Sequence, residues 1–513
     1  MAAGGIVTVA LLLVAEGAAR LFVGAPPARP AAETGPSAQR DYVAETVKWI
    51  DLAPERNPAP LVADPYLLWR NKPGARKTQP VIPEVAGRPA TWTLENNTRG
   101  YRGPELVTGV ADDDLYRIVC VGDSITFGFS VDQAAAYPRQ LEALLRARAP
   151  GRAIEVVNTA VPGWSWVQGL RFLEHEGLAL RPDAVIAAHG TNDQFWPAVV
   201  TDRERMPGGG LPAPEMAPPA WWERTSLVHG LRAIGRRLLD PPAPEPSPAC
   251  QAEIALGRGC SRVPVADITA TVAEVAARVR EAGADLIVLN LDFMETHAAT
   301  GVLAAVKAHG IVHHDFVAQF RALQAAEDAA AARALGLRPP GILAPARPGR
   351  PRRVVFRVRA PAGATDPLVV RGRNYLRPDD RFEAPLGDAG TIGDERAGDG
   401  VFSAVVELPP ETEVIEYNFW LGNTQEFIPL PPPPSLAGNR FLVLGRETVT
   451  PVVGFAERPR MAERAHPNAD GQALIARGLA GLVETLSSFR TWRDGSSPSP
   501  RAYPPIPPAA PAR

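Results

Sequence analysis

Hydrophobic and polar positions alternate along this chain in two distinct ways, and the first pattern begins near residue 115. Four short apolar runs predict buried strands. The predicted strands are residues 117–121, 153–157, 183–188 and 284–291. Between them, apolar residues recur at helical spacing, as at Tyr137, Leu141 and Leu145. Helices between successive strands indicate a mostly parallel sheet with helices on both faces.

From about residue 347 to 446 the pattern changes to short segments in which every second residue is apolar. The predicted strands here are residues 354–358, 368–370, 401–408 and 415–420. Turns rich in Gly and Asp separate them, which predicts a small β-sandwich. Its last strand is predicted to follow the proline run at 431–434. The α/β pattern then resumes with a helix at 471–486, so the β unit is predicted to be an insertion.

The apolar run at residues 6–15 is shorter than the roughly 20 residues that a membrane span needs. It suits the core of a signal peptide or the end of a membrane anchor, and we expect an extracytoplasmic protein. No Lys or Arg precedes the run, so either the true start lies upstream or the segment is a buried helix.

These patterns divide the chain into a series of predicted units. They are a signal peptide or anchor (1–24), a tether and wrapping segment (25–110), the α/β domain in two parts (111–346 and 447–490) with an insert at about 202–262, the inserted β-sandwich (347–446) and a Pro-rich tail (491–513).

Composition narrows the possible partners. The formal net charge is −2, so no nucleic-acid partner is predicted. Cys120 lies in a predicted strand as a small buried hydrophobe. Cys250 and Cys260 are either a disulfide formed outside the cytoplasm or two unrelated thiols. No Cys and His cluster suggests zinc, and no metal or cofactor is predicted.

Three polar loops follow predicted strands, and acyl-transfer chemistry needs such a set. Ser124 follows the first strand, Gly163 lies in the loop after the second, and Asn192 lies in the loop after the third. Parallel strands bring these loops to one edge of the sheet, where such folds bind ligands. A serine nucleophile, a histidine base and donors for an oxyanion can meet there. The chain has no G-x-S-x-G turn around this serine, which argues against an α/β-hydrolase.

These segments resemble the SGNH (GDSL-like) hydrolase family. Residues 122–128 (GDSITFG) match its first block, Gly163 its second, residues 190–193 (GTND) its third and residues 466–468 (HPN) its last. Residues 97–103 (NTRGYRG) also resemble a segment that precedes the first block in anchored members. Four blocks in the family's order are far more specific than GDS alone.

The resemblance implies a flavodoxin-like three-layer α/β/α sandwich that carries an esterase, a lipase or an acyltransferase. It implies Ser124 as nucleophile and His466 as base. The Ser124 N–H, Gly163 and Asn192 are implied as the oxyanion hole. The family usually has Asp three residues before the histidine, whereas this chain has Glu463. Either Glu463 orients His466 in a triad, or Glu463 points to solvent and His466 acts alone.

Other chemistry-bearing residues have plainer interpretations. Asp123 and Asp193 flank the site and either fix its loops or take part in the chemistry. His189 either lines the pocket or packs at a strand end, and the second is favoured. The His313-His314-Asp315 run is expected to end a strand rather than to bind metal. The aromatic candidates for a sugar-stacking wall, which are equally well explained by packing, are Trp164, Trp166 and Trp196.

The β insertion resembles starch-binding-like or glycogen-binding-like immunoglobulin-type modules, through residues 388–403, 416–419 and 439–440. Such modules bind carbohydrate or only pack against a catalytic neighbour. Trp420 and Tyr375 are the candidates for a sugar face. The acidic turn is either structural or a calcium loop.

Together these features predict a serine-dependent esterase that removes acyl groups, often acetyl, from a small-molecule or glycan ester, with association to a membrane through the N-terminus. A polysaccharide O-acyltransferase of the same fold is the first alternative. A non-catalytic surface protein that binds glycans is the second.

Overall fold

The structure is a computed structural model that describes most of the chain from residue 41 to residue 495. The described residues are 41–52, 60–80, 91–109, 114–208, 245–255, 259–293, 296–334, 341–361, 363–374, 380–389, 397–425, 440–450, 453–454 and 466–495. The predicted signal or anchor segment, most of the insert and most of the Pro-rich tail lie outside these residues, as do Glu463 and Tyr375.

A five-stranded parallel sheet forms the centre of the α/β unit. Its strands are β1 (Leu115–Gly122), β2 (Ala153–Asn158), β3 (Ala184–Ala188), β4 (Asp285–Asn290) and β5 (Val312–Asp315). They lie in the order β2-β1-β3-β4-β5, which is the flavodoxin-like order. The four predicted strands are confirmed, and the His313-His314-Asp315 run lies in β5 at the edge of the sheet.

Alternating side chains of β1 divide between two hydrophobic cores, one on each face of the sheet. Val119 and Val121 enter the first core, whereas Ile118 and Cys120 enter the second. The helices that contribute to the first core are Trp166–Phe172, Val265–Glu281 and Ala298–His309. Those that contribute to the second are Tyr137–Arg148, Phe316–Ala334, Ala469–Thr485 and Ser487–Arg493. The fold is therefore a three-layer α/β/α sandwich.

Most of the segment before the sheet packs onto the first core, whereas Trp92 and Leu94 of its second hairpin form a separate cluster with Phe127. The segment contains the helix Tyr42–Leu52, a hairpin of strands Leu61–Asp64 and Leu68–Asn71, and a second hairpin of strands Arg76–Pro80 and Thr91–Glu95. Leu67, Trp69 and Tyr101 are buried in that core. These short hairpins show no long alternation, which is why the sequence predicted only a wrapping segment.

The β unit consists of two five-stranded sheets that share a hydrophobic core containing Phe356, Val370, Ile415 and Phe419. The strands of one sheet are Gly341–Ala344, Arg352–Arg359, Val401–Leu408, Glu447–Val449 and Val453–Gly454. The strands of the other are Leu368–Asn374, Arg381–Pro385, Val414–Leu421, Thr424–Gln425 and Arg440–Val443.

The strands of this β-sandwich extend beyond residues 347–446. Three of them follow the proline run, where the sequence pattern predicted the last strand; they are Arg440–Val443, Glu447–Val449 and Val453–Gly454. Strands of two to four residues are too short to show an alternation of their own.

A disulfide and backbone hydrogen bonds to Ala198 and Val199 hold the described part of the insert. Cys250, in the helix Pro248–Ala255, forms a disulfide with Cys260, so of the two alternatives the pairing is the one present. The remaining short α-helices in the described ranges are Ser124–Phe127, Thr191–Phe195 and Asp202–Arg205. Throughout the described ranges, every helix is too short or too polar to cross a bilayer.

Candidate active site

Ser124 begins a short helix directly after β1, at the edge of the sheet where the strand order reverses. Gly122 makes this sharp turn possible, because a Cβ there would lie 2.2 Å from Thr126 Oγ1 and 2.8 Å from the Ala188 carbonyl oxygen. Asp123 caps the helix by accepting a hydrogen bond from the Ile125 N–H at 2.9 Å. Ser124 is half-buried, so a substrate can reach it.

His466 approaches Ser124 from the far end of the sequence. Its Nε2 lies 2.7 Å from Ser124 Oγ, although 342 positions separate the two residues. The imidazole also packs beside the Phe129 ring, with 5.1 Å between the ring centroids. This is the hydrogen-bond distance at which a histidine can take the proton of a serine hydroxyl.

A buried glutamine that the sequence analysis missed holds the His466 segment against the serine turn. Asn468 caps the helix Ala469–Thr485, whose fully buried Gln472 donates from Nε2 to the Ile125 carbonyl at 3.2 Å. The Oε1 of Gln472 accepts from the Tyr137 N–H at 2.9 Å. A polar residue on an apolar helix face was the available signal, since a buried amide needs partners.

Gly163 follows β2 with φ of +84°, a left-handed conformation that glycine adopts without strain. Its carbonyl oxygen accepts a hydrogen bond from Arg262 Nη1 at 2.7 Å. Arg262 is completely buried and also pairs with Asp202 at 2.7 Å. The loop that carries Gly163 is therefore held from the interior of the protein.

Asn192 lies on the short helix after β3 and bridges all three loops. Its Nδ2 donates to Asp123 Oδ2 and to the Trp164 carbonyl oxygen, both at 3.2 Å. Its Oδ1 accepts from Trp196 Nε1 at 3.2 Å. Because an indole N–H can only donate, Trp196 determines which end of the amide is the oxygen. The amide nitrogen therefore faces the serine turn, and Trp196 is a residue whose role the sequence did not reveal.

Asp123 is a buried carboxyl group between Ser124 and Asn192. Burial raises its pKa to about 6, while the Ile125 N–H and the positive charge of His466 act in the opposite direction. At neutral pH the group is mainly ionised and can accept from Asn192. The structure places Ser124, His466, Gly163 and Asn192 around one edge of the sheet, whereas Glu463 lies outside the described residues and its role stays a prediction.

Comparison with known families addresses the same region. Residues 120–313 match the model of the GDSL-like Lipase/Acylhydrolase family. This segment is a GDSL-like acylhydrolase domain. The match contains Ser124, Gly163 and Asn192, and the fold then adds His466 from beyond the β-sandwich. The chain is accordingly an enzyme that hydrolyses ester bonds.

The similarity of the chain to solved structures is low, and it has no match among curated proteins. LAE5, an alpha/beta hydrolase enzyme from the metagenome of Lake Arreo, is 18% identical, with a TM-score of 0.25 over 41% of this chain and 81% of that one. An acetylxylan esterase from Geobacillus stearothermophilus is 14% identical, with a TM-score of 0.25 over 41% and 80%. No curated protein matches the chain.

The predicted role of the Asn192 amide, as a hydrogen-bond donor to the oxyanion, can be tested by mutation. We expect Asn192→Ala to lower kcat by about 10²- to 10³-fold, because a lost oxyanion donor costs that much in comparable sites. Steady-state kinetics on a short-chain ester would measure the loss. Gln194→Ala is the matched control, since that amide lies on the same helix but bonds Ser261 and Val263. Equal losses in both variants would contradict the assignment.

Asp193 is positioned to fix the loops around the site, which is one of the two roles that the sequence left open. It is fully buried, accepts from the Trp166 N–H at 2.9 Å, and its Oδ2 makes no hydrogen bond within the described residues. Burial raises its pKa well above the ordinary value, and the Trp166 N–H only partly opposes this. Burial therefore favours the neutral form of this carboxyl group.

The raised pKa of Asp193 predicts how stability changes with pH. The folded protein keeps this proton at pH values above about 3.9, the pKa of an unfolded Asp. The proton therefore contributes to the stability of the fold. This contribution is fully present below the unfolded pKa and is lost as pH rises through the folded pKa. We expect Asp193→Asn to gain stability relative to wild type as pH rises from 4 to 8. Denaturant unfolding at several pH values would measure it. If the free energies of unfolding of wild type and Asp193→Asn changed with pH in parallel, the raised pKa of Asp193 would be contradicted.

His189 and two of the tryptophans are packing residues. Burial lowers the pKa of His189 to about 3, and its ring lies 5.1 Å from that of Trp166. Trp164 and Trp166 are at most 1% exposed, so neither can stack on a sugar. Trp196 is partly exposed and stacks on Tyr42 with 4.0 Å between ring centroids.

The contacts of the remaining candidates do not include Ser124. His314 pairs with Gln319 at 2.8 Å, and among the described residues no group of His, Cys, Asp or Glu side chains is arranged to hold a metal ion. Asp388 accepts from the N–H groups of Gly398 and Gly400, so it stabilises its own turn. Arg371 covers the Trp420 ring at 4.6 Å. Carbohydrate binding by the β-sandwich, and its likeness to starch-binding modules, stay predictions.

Proposed function

We propose that this GDSL-like enzyme deacylates its substrate through a covalent acyl-enzyme on Ser124, with His466 as general base. The observation that carries the proposal is the distance of 2.7 Å between His466 Nε2 and Ser124 Oγ. Both residues are half-buried, so the pair is accessible as well as aligned. A non-catalytic surface protein would have no reason to keep this geometry.

The reaction then proceeds in two halves. Ser124 Oγ attacks the ester carbonyl carbon while His466 Nε2 accepts the hydroxyl proton. The oxyanion is stabilised by the N–H groups of Ser124 and Gly163 and by Asn192 Nδ2, which exchanges a bond to Asp123 or Trp164 for the new one. The ester C–O bond breaks and His466 returns the proton to the leaving alcohol. Water, activated by His466, then releases the acid and regenerates Ser124.

The proposed substrate is a short acyl ester, acetyl foremost, on a glycan or glycoside. A cavity of about 270 Å³ opens at the carboxyl ends of β4 and β5, on the same edge of the sheet as Ser124. Asn290, Asp292 and Arg321 are among its polar lining residues. The side chains of these three residues can hydrogen-bond to the hydroxyl groups of a sugar. The partly exposed pair of Trp196 and Tyr42 adds a flat aromatic surface beside Asn192.

A panel of esters tests this proposal. We expect turnover of 4-nitrophenyl acetate to exceed that of the octanoate, and acetate to be released from an acetylated oligosaccharide. Ser124→Ala serves as the blank. Preference for the long chain would overturn the acetyl assignment. Product analysis with an added glycan acceptor covers the acyltransferase alternative, because transfer outpacing hydrolysis would overturn the hydrolase assignment.

A further inference from the structure

The hairpin of residues 61–71 lies outside the region that matches the family, yet it contacts the Gly163 loop directly. Trp69 Nε1 donates a hydrogen bond to the Pro162 carbonyl oxygen at 3.1 Å. In return, Trp164 Nε1 donates to the Trp69 carbonyl oxygen at 2.9 Å. Asn71 Nδ2 donates to the Ala160 carbonyl oxygen at 3.0 Å. Three hydrogen bonds thus join this hairpin to residues 160–164.

The bond to Pro162 matters because of the geometry of the peptide group. The peptide that contains the Pro162 carbonyl also contains the Gly163 N–H. In a planar trans peptide these two groups point in opposite directions. When Trp69 holds the carbonyl oxygen on the hairpin side, the Gly163 N–H is directed away from the hairpin.

The next peptide is held as well. The Gly163 carbonyl oxygen accepts from Arg262 Nη1 at 2.7 Å, and the Arg262 guanidinium lies over the Trp69 ring at 5.3 Å. A Cβ on Gly163 would lie 3.4 Å from Trp69 Cζ2, so the indole occupies the space that a side chain at this position would enter. Trp69 and Arg262 therefore restrain the two peptide groups that flank Gly163.

The hairpin holds Trp69 at a cost in backbone strain. Leu68, the residue before it, has φ of +66°, which is unfavourable for a side chain of this size. Leu68 and Trp69 are both completely buried. Strained residues of this kind persist where the surroundings determine them, and they cluster near functional sites.

We propose that Trp69 is a positioning residue of the active site, whose indole N–H orients the Gly163 N–H toward the oxyanion. The inference rests on the proposed function, since an oxyanion donor has a role only if an ester is cleaved through Ser124. Trp69 itself touches no reacting atom and acts through the Pro162–Gly163 peptide.

Trp69→Phe tests the proposal, because phenylalanine keeps an aromatic ring and removes the N–H donor. Trp166→Phe is the matched control: Trp166 is buried in the same core, and its Nε1 makes no hydrogen bond within the described residues. The measurements are kcat and KM on the ester turned over by wild type, the Kd of an alkylboronic acid that forms a tetrahedral adduct with the serine, and thermal unfolding.

We expect Trp69→Phe to lower kcat by about ten- to a hundredfold, with KM within about twofold of wild type. The boronic acid should bind more weakly by a similar factor. Trp166→Phe should keep its kcat within about twofold of wild type. A Trp69→Phe variant that folds and loses no more kcat than the control would overturn the inference, as would equal loss in both.

Two further outcomes are separable. If wild type and Ser124→Ala are equally inactive on every ester, the proposed function fails and this inference with it. If Trp69→Phe does not fold, Trp164→Phe removes the reciprocal bond to the Trp69 carbonyl oxygen. We then expect a smaller loss of kcat with KM unchanged, and a wild-type kcat in that variant would overturn the inference.

Discussion

Ser124→Ala is expected to abolish ester hydrolysis, with a fall in kcat of at least about 10⁴-fold. The variant lacks the oxygen that lies 2.7 Å from His466 Nε2, so no acyl-enzyme can form. The backbone N–H of residue 124, Gly163 and Asn192 all remain. Substrate binding should change little, and the residual rate should be that of water attack in an intact oxyanion hole.

Two controls make this result specific. A fluorophosphonate probe should label wild type and leave Ser124→Ala unlabelled, because the probe reacts with the nucleophile itself. Ser487→Ala removes an exposed hydroxyl elsewhere and should behave as wild type in both assays. Turnover and labelling that persist in folded Ser124→Ala would show that another residue is the nucleophile.

His466→Ala is expected to lower kcat by a comparable factor, since a nucleophile and its base act as one unit. The serine hydroxyl would remain but would have no acceptor for its proton at 2.7 Å. The double variant Ser124→Ala/His466→Ala should therefore be no slower than either single variant. Stopped assays at high enzyme concentration would measure all three rates.

His309→Ala is the matched control for the second prediction, because His309 is exposed at the end of the helix Ala298–His309. It should leave kcat unchanged. If the losses of the two single variants multiplied in the double variant, Ser124 and His466 would be acting independently. That outcome would contradict the shared proton transfer.

Much of the α/β unit could be predicted from local pattern. The four apolar runs became β1 to β4 because a strand buried on both faces needs continuous apolar residues. Ser124, Gly163 and Asn192 could be predicted as neighbours because parallel strands end at one edge. The edge strand β5 and the strands of two to four residues in the β-sandwich carry no such pattern, so their pairing was not predictable.

The sequence by itself determined the family motifs and the strand-to-loop positions of the site, and it predicted Ser124 as the nucleophile, since each depends on a few adjacent residues. Only the tertiary structure decided which distant groups complete that site. His466 reaches Ser124 through a helix that Gln472 fastens to the serine turn. Trp196 orients the Asn192 amide, and Trp69 holds the peptide before Gly163. Most of these contacts join residues that are far apart in the chain, and the others pair polar atoms in the interior. Neither kind of pair produces a periodic pattern in the sequence.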